Sequence, residues 1–171
     1  MPSHPEPSDR LSDPAELLDA YLDFYRSTLL RKLDGLSDEA LRSSVLPSGW
    51  TPLELLKHLT YVELRWLEWG FEARAVEEPW GDQDPDSGAW VVGPDEDLAL
   101  LRARFLDRCE RSRAIVAGAG LLDAGGVGGR FETAETAPHL SWILFHLLQE
   151  YARHVGHLDV VCELLDGGVG E

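Results

Sequence analysis

Residues 138–168, PHLSWILFHLLQEYARHVGHLDVVCELLDGG, hold one unbroken helical pattern that carries both packing and chemistry. Pro138 stands where a helix can open without its N–H, and Asp166-Gly167-Gly168 stops it. Ile143, Leu147, Leu158 and Val161 recur at helical spacing, so one face packs at least partly inward. The same face holds His146, Glu150, His154 and His157. At about 100° per residue, Glu150 and His154 are roughly 40° apart around the axis. A buried carboxylate beside buried imidazoles is costly unless its charge is paired or metal-bound.

Three further long helices precede this one. Asp13-Pro14-Ala15-Glu16 supplies an N-cap, a proline in the first turn and a glutamate at N3. From there Leu17, Leu18, Tyr21, Phe24, Tyr25, Leu29 and Leu33 mark a helix ending near Gly35. A short helical piece at Ser37–Leu41 leads to the loop Pro47-Ser48-Gly49. Thr51-Pro52-Leu53-Glu54 opens the second long helix, with a stripe of Leu55, Leu59, Val62, Trp66 and Trp69 and an end between Gly70 and Ala75. His58 belongs to that stripe and Lys57 to the solvent side. The third long helix starts near Pro94-Asp95-Glu96-Asp97, runs through Leu98, Leu101, Phe105, Cys109 and Ile115, and is closed by Gly118 and Gly120.

Long connections separate helices two and three (76–94) and three and four (121–137). The first carries Trp80 and Trp90, large aromatics expected to pack over something such as a pocket. The second is rich in glycine, with a short extended piece expected around Arg130 and Phe131. The pattern is all-α, a four-helix bundle of residues 13–167 with a flexible leader at 1–12 and a tail at 168–171.

Acidic side chains outnumber basic ones 31 to 15, a formal charge of −16, which repels phosphate backbones and anionic lipid surfaces. Nucleic acid and membrane partners are therefore set aside. The N-terminus lacks a signal-peptide pattern, and Cys109 and Cys162 read as reduced core thiols, so a cytoplasmic location is expected.

Two ligands at i and i+4 with a third from a facing helix are a common way to hold a divalent ion. Two neutral imidazoles and a carboxylate from among His58, His146, Glu150, His154 and His157 would suit Zn²⁺ foremost, with Ni²⁺ or Fe²⁺ as alternatives. A buried Glu–His hydrogen-bond network or a solvated stripe is the plainer alternative, and spacing alone does not separate them. No Ser-His-Asp pattern, Walker motif or CxxC is present.

Gly49-Trp50-Thr51-Pro52 with Leu56-Lys57-His58-Leu59, and Glu150-Tyr151-Ala152-Arg153-His154-Val155-Gly156-His157, together resemble the DinB/YfiT-like superfamily. The likeness runs from Leu17 to Leu165 and is closest to the actinobacterial mycothiol S-transferase-like branch. It implies a four-helix bundle with a divalent metal on His58, Glu150 and His154. Most members use three histidines, and Glu150 makes the set His, Glu, His, as in the mycothiol-dependent maleylpyruvate isomerases. His157 stands where many relatives carry glutamine, so it is expected beside the ligands or facing substrate, with Arg153 at the site's edge and His146 one turn away.

The activity implied is transfer of a low-molecular-weight thiol, mycothiol as co-substrate, to an electrophilic small molecule. Two alternatives are a non-catalytic metal-binding bundle of stress response and a metal-dependent hydrolase. A homodimer through an exposed apolar face of helix one or three is a further expectation.

Overall fold

The computed structural model describes residues 5–165. The first four residues of the expected leader, the stop at Asp166-Gly167-Gly168 and the tail at 168–171 lie outside the described residues. Residues 5–13 form no helix, only a turn in which Leu11 N–H donates to Ser8 O.

Helices dominate: α1 Pro14–Asp34, α2 Asp38–Leu41, α3 Pro52–Glu63 running into a π-helical segment Leu64–Phe71, α4 Leu98–Ala117 and α5 Leu140–Leu165. Among the described residues there is no strand, and pairing is limited to the isolated bridges Gln83–Trp90 and Ala124–His139. The extended piece expected around Arg130 and Phe131 is absent. Its backbone bonds go elsewhere, Arg130 N–H to Trp69 O and Gly128 N–H to Phe131 O.

The chain divides into two compact units, one of the residues up to Pro52 with those from Leu148 onward, the other Leu53–Leu147. In the first, Asp13 caps α1 by accepting from Ala15 and Glu16 N–H, a contact worth about 1 kcal/mol. Leu22, Leu29 and Leu33 are fully buried along α1, as are Tyr151, Leu158 and Val161 along α5. Arg26 lies over the Tyr151 ring at 6.0 Å, and Lys32 pairs with Asp159.

In the second unit, Leu55, Leu56 and Leu59 are fully buried, each stabilising the fold by about 1.5–3 kcal/mol. The stripe expected on helix two holds through Val62 and then shifts. In the π-helical segment Leu64, Arg65, Leu67, Glu68 and Gly70 are buried, while Trp66 and Trp69 are half-buried. Bonding from i to i+5 puts more residues in each turn, so an α-helical count past residue 63 lands on the wrong face. Lys57 also departs from expectation. It is buried, not on the solvent side, because its Nζ donates to Glu96 Oε2 at 2.8 Å.

α4 starts at Leu98, with Asp97 accepting from Leu100 N–H at 2.8 Å. Glu96, beside the cap, accepts from Lys57, Arg104 and Gly93 N–H. α5 begins two residues later than Pro138 would allow, because that proline's carbonyl accepts from Gly125 N–H and His139 bridges to Ala124. Cys109 and Cys162 are buried thiols outside any disulfide. No helix among the described residues is long and apolar enough to cross a membrane.

Candidate metal centre

Gly49, at φ +83°, turns the chain into α3, which carries His58 in its buried stripe. His58 Nδ1 lies 3.0 Å from Asp82 Oδ2, and Trp90 stacks on the imidazole with centroids 4.0 Å apart. Asp82 is fully buried and is held from a second side by Arg65, which donates to Oδ1 at 2.6 Å and to Oδ2 at 3.1 Å. Burial alone would push the Asp82 carboxyl up. The hydrogen bonds from His58 and Arg65, with the guanidinium charge, outweigh it and hold the group below the usual carboxylate range. Asp82 is therefore an ionised acceptor behind His58 Nδ1, the arrangement by which a carboxylate orients a metal-binding imidazole.

Along α5, the i, i+4 spacing brings His154 Nε2 to 3.2 Å from Glu150 Oε2, both side chains half-buried. One ligand atom from each of His58, Glu150 and His154 lies within 4.8 Å of the others. Two imidazoles and a carboxylate, one imidazole already oriented by a buried acid, fit a divalent ion of the zinc, nickel or iron(II) kind.

The remaining sequence candidates fall in different surroundings. His157 is exposed and outside that group, with its ring edge-on to Trp50 at 5.0 Å. Arg153 is exposed. His146 is half-buried between Trp66, at 4.4 Å, and Trp142, stacked at 5.2 Å. Trp80 is 47% exposed, edge-on to Trp69 and beneath the Arg65 guanidinium at 4.4 Å. It lines a cavity of about 410 Å³ with Gln83, Asp84, Pro85 and Gly88. A cavity of about 590 Å³ is bordered by Lys57, Tyr61, Glu96, Arg104 and Arg108, and none of the three clustered residues lines it.

Sequence reasoning missed Asp82 and Arg65. A signal was present, because Arg65 follows His58 by seven residues and so falls near its side of the helix. An arginine on a buried face requires an acid, and the 76–94 loop is rich in them. Nothing in the spacing separates Asp82 from Asp84 or Asp86.

A family model described as Mycothiol-S-transferase matches residues 17–167. No match was found among curated proteins.

Proposed function

The chain belongs to the Mycothiol-S-transferase family, an all-α bundle of DinB type, and from that premise we propose that it is a divalent-metal-dependent enzyme transferring a low-molecular-weight thiol to an electrophilic small molecule. Mycothiol is the thiol of this proposal and zinc its ion, with His58, Glu150 and His154 as the ligands. The observation that carries it is the meeting of those three ligand atoms within 4.8 Å, with His58 fixed from behind by Asp82. A divalent ion bound there would hold the attacking sulfur as thiolate at neutral pH, where a free thiol of pKa about 8.5 is mostly protonated.

The chain's own residues divide the remaining work. Asp82 and Trp90 hold the orientation of the His58 ring. His157, exposed next to Trp50, is assigned the proton released from the thiol, and Arg153 stays a candidate for an anionic substrate group.

The non-catalytic alternative requires a closed site with His157 as fourth ligand, and the contact of His157 with Trp50 does not favour it. No observation favours hydrolysis. A cytoplasmic location and a homodimer belong to the same proposal, checked by cell fractionation and sedimentation velocity.

The test is metal analysis of wild type beside His58→Ala, Glu150→Ala, His154→Ala and His157→Ala, with mycothiol consumption measured against a panel of electrophiles. The expected result is metal loss in the first three, metal retention with impaired turnover in His157→Ala, and metal-dependent turnover in wild type. Full metal in the first three would sink the ligand assignment, and no turnover across the panel would sink the transferase.

A further inference from the structure

In a chain this acidic, the buried Arg26 and Arg65 and the half-buried Arg108 have acids close by. Arg26 pairs with Asp23, Arg65 with Asp82 and Arg108 with Glu68. Arg130 differs. Its guanidinium lies over the Trp66 ring at 3.9 Å, near Trp80 at 5.8 Å and Trp69 at 6.0 Å, and among the described residues it has no ion pair. Its Nη1 is buried with no hydrogen-bond partner. The charge it does feel is that of Arg65, and burial followed by this repulsion lowers the Arg130 pKa.

Stacking on tryptophan accounts for the face of the guanidinium and not for its edge. The N–H donors lie in the guanidinium plane, and an aromatic ring under that plane leaves them unmet. A half-buried cation with unmet donors costs stability unless an acceptor arrives. The fold nevertheless holds it firmly. Arg130 N–H donates to Trp69 O at 3.0 Å and Gly126 N–H to Phe71 O at 2.7 Å. Gly129 sits so close to the π-helical segment that a Cβ there would fall on Trp69 O and lie 2.7 Å from Ala73 Cα. A cation set in place this way is preorganised for a ligand.

We propose that Arg130 anchors a binding site for the carboxylate of a small organic acid, with Trp66, Trp80 and Trp142 as the aromatic wall for its apolar body. The guanidinium fork matches a carboxylate bidentately, and because Nη1 is closed to solvent in this structure, the ligand reaches it only as a neighbouring side chain gives way. The exposed faces of Trp80 (47%) and Trp142 (52%), the latter 5.4 Å from Trp66, favour a flat apolar body over a bare anion. Arg153, exposed to water, offers a more screened charge. The site stands on the surroundings of Arg130 alone. That its ligand is the electrophile of the thiol transfer rests on the function proposed above.

The experiment is titration of wild type, metal-free and metal-loaded, with benzoate, acetate and inorganic phosphate at constant ionic strength, followed by tryptophan fluorescence. Saturable binding of benzoate, tighter than acetate or phosphate, in both metal states is expected. Arg130→Gln should weaken it at least tenfold and Arg130→Lys by less, while Arg111→Gln on the exposed side of α4 leaves it unchanged. No saturable benzoate binding to wild type overturns the site without need of any variant. Equal affinity in Arg130→Gln, or binding of phosphate alone, overturns it as well. A carboxylated electrophile and its neutral ester, compared for thiol consumption, separate the two claims: benzoate binding without any thiol transfer supports the site and removes the function proposed for the chain.

Discussion

Asp82 shows how one side chain can set what its neighbours are able to do. It is buried, ionised and shared by His58 and Arg65, so its loss strands a guanidinium and releases an imidazole together. Asp82→Asn keeps the shape and removes the charge. Breaking a buried pair from one side costs about 3–5 kcal/mol, and loss of an acid behind a metal-binding histidine lowers affinity about 10–100-fold. Urea melts should show the first effect and a chelator competition titration the second. An unchanged metal affinity in a folded Asp82→Asn protein would remove Asp82 from the site. Helical spacing puts His58 and the polar residues of α5 on apolar faces, a conflict that demands an explanation, while the choice of His58, Glu150 and His154 as a ligand set comes from the family resemblance and stands as a proposal. Asp82 was not legible in the sequence, because a loop has no period and its acids look alike until the fold buries one of them.

Among the elements, α3 explains which expectations held and which did not. The cap at Asp13 and the glycines at the ends of α1 and α4 placed those boundaries well, since caps act through neighbours in sequence, whereas the four residues from Pro94 to Asp97 did not single out Asp97 as the cap of α4. The π-helical winding after Glu63 has no such local mark, and so the facing of Trp66 and Trp69 was misjudged. Lys57 was misassigned for a related reason, because its partner Glu96 lies 39 residues away. That link carries a pH prediction. Burial opposes ionisation of Glu96, but bonds from Lys57, Gly93 N–H and Arg104 outweigh it, so its pKa is lowered on folding. A carboxyl depressed in the folded state adds stability that is present above the unfolded value, about 4.3, and is lost as pH falls through the folded one. Glu96→Gln should therefore melt below wild type at pH 7, and the gap should close as pH falls below about 4. A gap that stays constant from pH 7 to pH 3 would show that charge on Glu96 is not what ties α3 to the start of α4. The glycine-rich connection makes a second prediction. Gly129→Ala meets backbone that cannot step aside, so about 1–3 kcal/mol of destabilisation is expected in a thermal melt, and wild-type stability in the variant would deny the close approach.

For the molecule as a whole, the order of the helices and the motif separations were readable because each long helix carries its own apolar period. The family match over residues 17–167 agrees with that order. Metal dependence of stability is the property that the entire chain should report. A ligand that binds only the native state stabilises it by RT ln(1 + [L]/Kd), about 2.7 kcal/mol at 100 times Kd. For a chain of this length each kcal/mol moves Tm by about 2–4 °C, so stripping a bound ion should lower Tm by about 5–10 °C. A net charge of −16 adds an alternative cause, because an acidic surface gathers divalent cations without any built site. The two causes separate in His58→Ala. Diffuse attraction survives that change, since no acid is removed, whereas a shift that needs His58, Glu150 and His154 together disappears. Calorimetry of wild type and His58→Ala, each with zinc and with chelator, should give a zinc-dependent shift in wild type alone. Equal shifts in both proteins would assign the effect to surface charge and leave the three clustered residues as a hydrogen-bonded group without an ion.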